Sequence, residues 1–282
     1  MSPRVRHSAT PVVQQRSQVF FKRGGIAVIA LVLVSGCDWI YTEAPFEVKK
    51  CMASVDEKFI PALWYSQKGN AEQFSNTMNA TIDAWRECRP RFDRFFEDEE
   101  STMDVTATVD SLFQTAQSQA RAGTLQEAHE TLEQVKDIMI TARRRQGMTY
   151  VLDMLEPLHD TVSVMYKMVT GATDSVRAAD LDTAQLDLDT LRNLVESAQR
   201  TVLGVVVVRV RPETSSLDSA DMDVYSKRLQ VLNDTSNELL QAVENRDLEK
   251  AVSLVEKMRV TFQRIYLLFG DFTEKPSILK EG

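Results

Sequence analysis

Four times along this chain a tight turn is followed by apolar residues at offsets 0, 3, 7, 10, 14 and 17. The turns are Lys68-Gly69-Asn70-Ala71, Ala122-Gly123-Thr124-Leu125, Ala178-Ala179-Asp180-Leu181 and Asn245-Arg246-Asp247-Leu248. The first run reads Ala71, Phe74, Met78, Thr81, Trp85, Cys88, and the second Leu125, Ala128, Leu132, Val135, Met139, Ala142. The third reads Leu181, Ala184, Leu188, Leu191, Val195, Ala198, and the fourth Leu248, Ala251, Val255, Met258, Phe262, Ile265. Only Thr81 is polar among the 24 positions. A three-four alternation is one face of an α-helix, with a period of about 3.5, and cannot be the period-2 face of a strand.

The arms that enter the turns repeat the pattern, as in Val151, Leu155, Leu158, Val162, Met165 and Val169, or Tyr225, Leu229, Leu232, Ser236, Leu239 and Val243. Paired apolar seams joined by tight turns pack as antiparallel helices at small crossing angles. A lone hairpin cannot bury both seams. The expected fold is therefore all-α: repeated antiparallel helical hairpins forming two up-down four-helix bundles. Turn-to-turn spacings of 54, 56 and 67 residues exclude a tetratricopeptide array. The natural division is Arg143-Arg144-Arg145-Gln146-Gly147, three cations suited to a helix C-terminus and a glycine suited to the position after it. Residues 37–147 then form one bundle and 148–282 the other. Pro157 is expected to bend the helix that contains it or to start a new one. Gly204 to Asp221 reads as a frayed helix end or short strand and a long crossing loop.

The N-terminal segment is different in kind. Residues 1–36 carry Arg4, Arg6, Arg16, Lys22 and Arg23 and no acidic residue, and an apolar run from Ile26 to Val34 follows. That run is about half the ~20 residues of a bilayer-spanning helix. Val34-Ser35-Gly36-Cys37 at its end resembles the signal of bacterial lipoproteins, in which small residues precede a cysteine that receives lipid. The resemblance implies that 1–36 is a signal peptide. It also implies that Cys37 becomes the acylated first residue and that the body hangs from the periplasmic side of a membrane. More than one acyl chain is needed for stable anchoring. Asp38 resembles the retention signal of inner-membrane lipoproteins and favours that membrane, with the outer membrane still open. Asp38 to Ala44 would be a tether of roughly 25 Å when extended.

Removing the leader leaves 28 basic and 41 acidic residues, a net charge of −13. An acidic body excludes nucleic acid as a partner, because that needs a basic footprint. Of three cysteines, lipidation takes Cys37 and leaves Cys51 and Cys88. These two lie symmetrically about the Gly69 turn, so in an antiparallel hairpin they face each other. In an oxidising periplasm they are expected to form a disulfide.

Motifs that carry chemistry are scarce. The Ala122-Gly123-Thr124-Leu125-Gln126-Glu127-Ala128 spacing resembles the last hairpin of soluble b-type cytochrome bundles. In that family a histidine of the fourth helix and a methionine of the first bind haem. Those positions fall on Arg143 and near Val55, with Met52 one turn away, so the resemblance carries the architecture and no haem ligand. His129 and His159 lie one position off an apolar seam and are expected at its edge or in water, away from metal-ligating positions in a core. Met148, Met154, Met165 and Met168 surround His159 in sequence and read as core filler rather than copper ligands. Glu97-Asp98-Glu99-Glu100 reads as a solvated loop. Asp180, Asp182, Asp187 and Asp189 read as caps of a helix start, without the spacing of a calcium loop. Trp64 and Tyr65, near the first turn, are candidates for a contact surface, and Trp85 for the core. The chain has no phosphate-binding glycine loop, GxSxG elbow or CxxC pair.

The expectation is a membrane-anchored, non-enzymatic scaffold, assembly or interaction protein of the cell envelope. It touches the bilayer through acylated Cys37 and engages an envelope protein partner, with no cofactor, metal or catalytic residue. The alternative is a bundle that binds a small ligand, a metal or haem.

Overall fold

The computed structural model describes residues 46–95, 102–177, 187–207, 210 and 214–280. The lipobox-like segment at 34–37 and the acidic run at 97–100 lie outside the described residues, as does the third turn, at 178–181. Among the described residues the structure is helical throughout. Its helices are α1 (Phe46–Gln67), α2 (Ala71–Phe95), α3 (Thr102–Arg121), α4 (Leu125–Arg145), α5 (Val151–Arg177), α6 (Leu188–Val207), α7 (Ser219–Glu244), α8 (Leu248–Tyr266) and the single turn α9 (Ser277–Lys280). No described helix is long and apolar enough to cross a membrane.

Helices α1 to α4 close a ring, α1 on α2, α2 on α3, α3 on α4 and α4 back on α1, and α5 to α8 close a second ring in the same order. These are the two up-down bundles, and residues 41–282 form one compact unit. The repeated offsets are the seams of the rings. Phe74, Met78, Trp85 and Cys88 are buried in α2, as are Leu132, Val135 and Met139 in α4 and Val255, Met258 and Ile265 in α8. Thr81, the one polar position, is fully buried and returns its hydroxyl proton to the Thr77 carbonyl at 2.8 Å. Offset 0 of the first and fourth repeats, Ala71 and Leu248, is exposed.

Turn chemistry ends the helices where the repeat predicts. Asn70 accepts from the Gln73 N–H and Asp247 from the Lys250 N–H, both at 3.1 Å, which caps α2 and α8. Helices α1, α3 and α4 stop at Gly69, Gly123 and Gly147, all with positive φ. At each, paired hydrogen bonds close the helix end, such as Asn70 N–H to the Tyr65 carbonyl and Gly69 N–H to the Ser66 carbonyl. The fourth turn makes the same pair of bonds with Arg246 at φ 57°. Asp187 caps α6 by accepting from the Thr190 N–H at 3.0 Å, and α6 begins at Leu188, while the start expected at Leu181 lies outside the described residues.

Pro157 neither breaks nor restarts α5, which runs unbroken through it. A proline inside a helix leaves the carbonyl four residues earlier without its partner. Here that carbonyl belongs to Asp153, and the Arg144 guanidinium of α4 donates to it at 2.8 Å. Pro61 in α1 does the same to the Glu57 carbonyl, which accepts from the Asp271 N–H at 2.8 Å. Asp271 belongs to the segment after α8, which crosses from the second bundle onto α1. Its Phe272 is buried edge-on against Tyr65, and Lys58 pairs with the Asp271 carboxylate at 2.6 Å. Each of these two prolines thus opens one carbonyl, and each carbonyl becomes a tie between the bundles.

Candidate functional site

Where α1, α4, α5 and α8 meet, the bundles form a half-open cavity of about 90 Å³. Ile60, Leu63, Trp64, Phe262 and Tyr266 give it apolar walls, and His129, Glu133, Lys136, Glu156 and His159 line its polar side. The two histidines, 30 positions apart in sequence, share this cavity. Both sit at its edge as the seam argument predicts, His129 at 16% and His159 at 43% side-chain exposure.

Lys136 organises the polar side. Its ammonium bridges Glu133 on its own helix and Glu156 on α5, the latter at 2.9 Å, and its side chain is only 10% exposed. Burial opposes a charge on Lys136, but the two carboxylates outweigh it and raise the pKa. Burial likewise opposes a charge on Glu156, and the His159 hydrogen bond with the Lys136 ammonium overcomes this and holds the carboxyl down at about 2. His159 Nδ1 lies 3.4 Å from Glu156 Oε1 and 4.0 Å from Asp160 Oδ1, and its ring stacks on Phe262 with centroids 5.5 Å apart. On the facing side, the Ser66 hydroxyl donates to the Leu63 carbonyl at 2.8 Å. The same oxygen lies 3.1 Å from His129 Nδ1 and shares a hydrogen bond with it. His129 Nε2 lies 3.7 Å from Glu133 on the other side of the ring.

Deeper between the bundles is a second cluster. Arg143 is 3% exposed and grips Asp153 through Nε and Nη2, with Nε 2.8 Å from Oδ2. The guanidinium lies over the Tyr150 ring at 4.6 Å, and Tyr150 donates to Asp56 at 2.5 Å. Burial raises the Asp56 carboxyl to about 6 although Arg143 and Tyr150 pull it down. The Asp153 pair keeps Arg143 above its ordinary value despite burial. The residue that takes the haem-histidine position of cytochrome bundles is thus part of a buried ion pair, and Val55, at the methionine position, is fully buried.

The Cys51–Cys88 disulfide joins α1 to α2 across the first hairpin, with Cα atoms 5.3 Å apart. Trp85 is core, its indole N–H donating to Asp110 at 2.7 Å. Of the pair read as a contact surface, Tyr65 is buried and Trp64 lines the cavity under the Lys68 ammonium. Met148 and Met165 are core, and Met154 and Met168 pack against it. Asp187 is the capping aspartate, while Asp180 and Asp182 fall outside the described residues. Sequence reasoning places Arg143 among cations that suit a helix end and finds no Glu-x-x-His pair facing a core, although Glu156 and His159 have that spacing. The cross-helix partners, unlike the Glu156–His159 pair on one helix, have a trace in the turn spacing. Arg143 and Asp153, like Lys136 and Glu156, are nearly equidistant from the Gly147 turn.

No family model matches this chain, and no curated protein or solved structure shows detectable similarity to it.

Proposed function

We propose that this chain is a lipid-anchored envelope protein, held at the periplasmic side of a bacterial membrane by acylated Cys37. There it acts as a non-enzymatic scaffold or assembly factor that presents its helical body to a protein partner. The observation that carries the reading is the way the bundles are tied. Buried ion pairs, two carbonyls opened by proline and the segment after α8 all join one ring of helices to the other. A body stiffened at the seam between its bundles suits holding partner surfaces at a set spacing, rather than opening and closing around a substrate. The Cys51–Cys88 disulfide supports an oxidising compartment. The acidic surface favours a protein partner over nucleic acid, and Asp38 favours the inner membrane.

Two measurements test this. Mass spectrometry of membrane-extracted protein should find a chain starting at acylated Cys37, and Cys37→Ser should release the body from the membrane. Crosslinking in intact cells followed by purification from membranes should recover one dominant envelope protein. A soluble, unlipidated wild-type chain refutes the anchor, and recovery of monomer alone under several crosslinking chemistries refutes the scaffold.

A further inference from the structure

The geometry points to a divalent transition-metal site at the rim of the inter-bundle cavity, with Glu156 and His159, which line it, and the exposed Asp160 of α5 as its protein ligands. One atom from each of these three side chains lies within 4.8 Å of the other two. Around a tetrahedral ion with bonds of about 2.1 Å, ligand atoms stand roughly 3.4 Å apart. The 3.4 Å from His159 Nδ1 to Glu156 already matches this, and the 4.0 Å to Asp160 closes with a small swing of an exposed side chain. The set, one imidazole nitrogen and two carboxylate oxygens, suits zinc and its neighbours rather than soft copper(I) or oxygen-only calcium.

Three further features separate the cluster from an ordinary patch of surface acids. The His159 ring is held by stacking on Phe262, so its orientation is set before any ion arrives. Lys136 already places a positive charge where Glu133 and Glu156 converge, so this spot accommodates a cation. His129, between Ser66 and Glu133, lines the same cavity and offers it a second imidazole. Lys136 and a metal ion compete for the Glu156 carboxylate. Ion binding therefore exchanges a bridge between α4 and α5 for a charge held on α5, facing α4. This reading does not depend on the acylation of Cys37.

The test is a titration of the chelator-treated full chain in detergent with Zn²⁺ by calorimetry, and with Co²⁺ by visible absorption. One equivalent is expected to bind in the micromolar range, with Co²⁺ bands of a four- or five-coordinate site. His159→Phe keeps the stack on Phe262 but cannot ligate. It and Glu156→Gln should each weaken binding by at least about tenfold. Lys136→Met should tighten it several-fold, and Zn²⁺ should raise the Tm of that variant more than that of the wild type. His129→Ala should weaken binding less than His159→Phe. Circular dichroism in chelator checks that each variant is folded. No saturable binding below roughly 100 µM overturns the proposal. So does His159→Phe, folded, binding as tightly as the wild type, or Lys136→Met binding more weakly than it.

Discussion

The buried guanidinium of Arg143 allows a sharp test of what holds the two bundles together. Arg143→Met keeps the length of the side chain and removes its charge, which leaves Asp153 at 4% exposure and Asp56 at 7% without their cation. Removing one partner of a buried pair costs about 3–5 kcal/mol, because the other charge stays desolvated. The cost must depend on pH, and its sign follows from Asp56. That carboxyl titrates at about 6 in the folded protein against 3.8 when unfolded. A folded value above the unfolded one means that stability is fully present below pH 3.8 and is lost as pH rises through the folded value. Charging Asp56 above pH 6 thus already costs the wild type roughly 3 kcal/mol. Without Arg143 the folded values of both carboxyls move up, and the window of loss extends past neutrality. Urea denaturation followed by tryptophan fluorescence should show a loss of about 3–5 kcal/mol at pH 7.5 that shrinks to about 1–2 kcal/mol near pH 4.5. Replacing the pair together, as Arg143→Met with Asp153→Leu, should recover most of the stability at pH 7.5. A loss under about 1 kcal/mol at pH 7.5, or the same loss at both pH values, would refute the reasoning.

Three other outcomes follow from the geometry. Cys51→Ser with Cys88→Ser opens a loop spanning 37 positions and should lower stability by about 4 kcal/mol in urea, against no change on adding reductant to the double variant. Gly270→Ala places a methyl group 2.7 Å from Phe272 and 3.0 Å from Ile60 and Pro61. It should cost about 1–3 kcal/mol and raise hydrogen exchange at the Asp271 amide, which reports the tie to Glu57. Arg246→Gly relieves a left-handed backbone at φ 57° and should raise stability by about 1 kcal/mol, seen as a higher Tm with unchanged helix content.

The helices and their turns were legible because both are local. A seam of period 3.5 needs only neighbours three and four residues away, and the glycines at 69, 123 and 147 need only a backbone that turns left-handed there. Phe74, Leu132 and Val255 are buried on the faces their spacing assigns to the core. The cystine was legible for a related reason, since a tight hairpin fixes which residues face each other. What escaped is the content of the junction. Arg143 beside Arg144 and Arg145 carries no mark of burial, and three cations in a row read as a solvated helix end. Arg144 answers a carbonyl exposed by Pro157, which a local rule takes for a break. His129 and His159 read correctly as edge residues, but an edge has no address until two bundles meet there.

The sequence alone determines that this chain makes amphipathic helices joined by tight turns, with two cysteines set across the first of them. Only the tertiary structure decides that one face of each bundle is covered by the other. That decision brings Asp56, Lys136, Arg143, Asp153 and Glu156 out of water and into mutual reach. Hydrophobic periodicity is blind to it, because the free energy of a charge depends on what approaches across a gap and not on its neighbours along the helix.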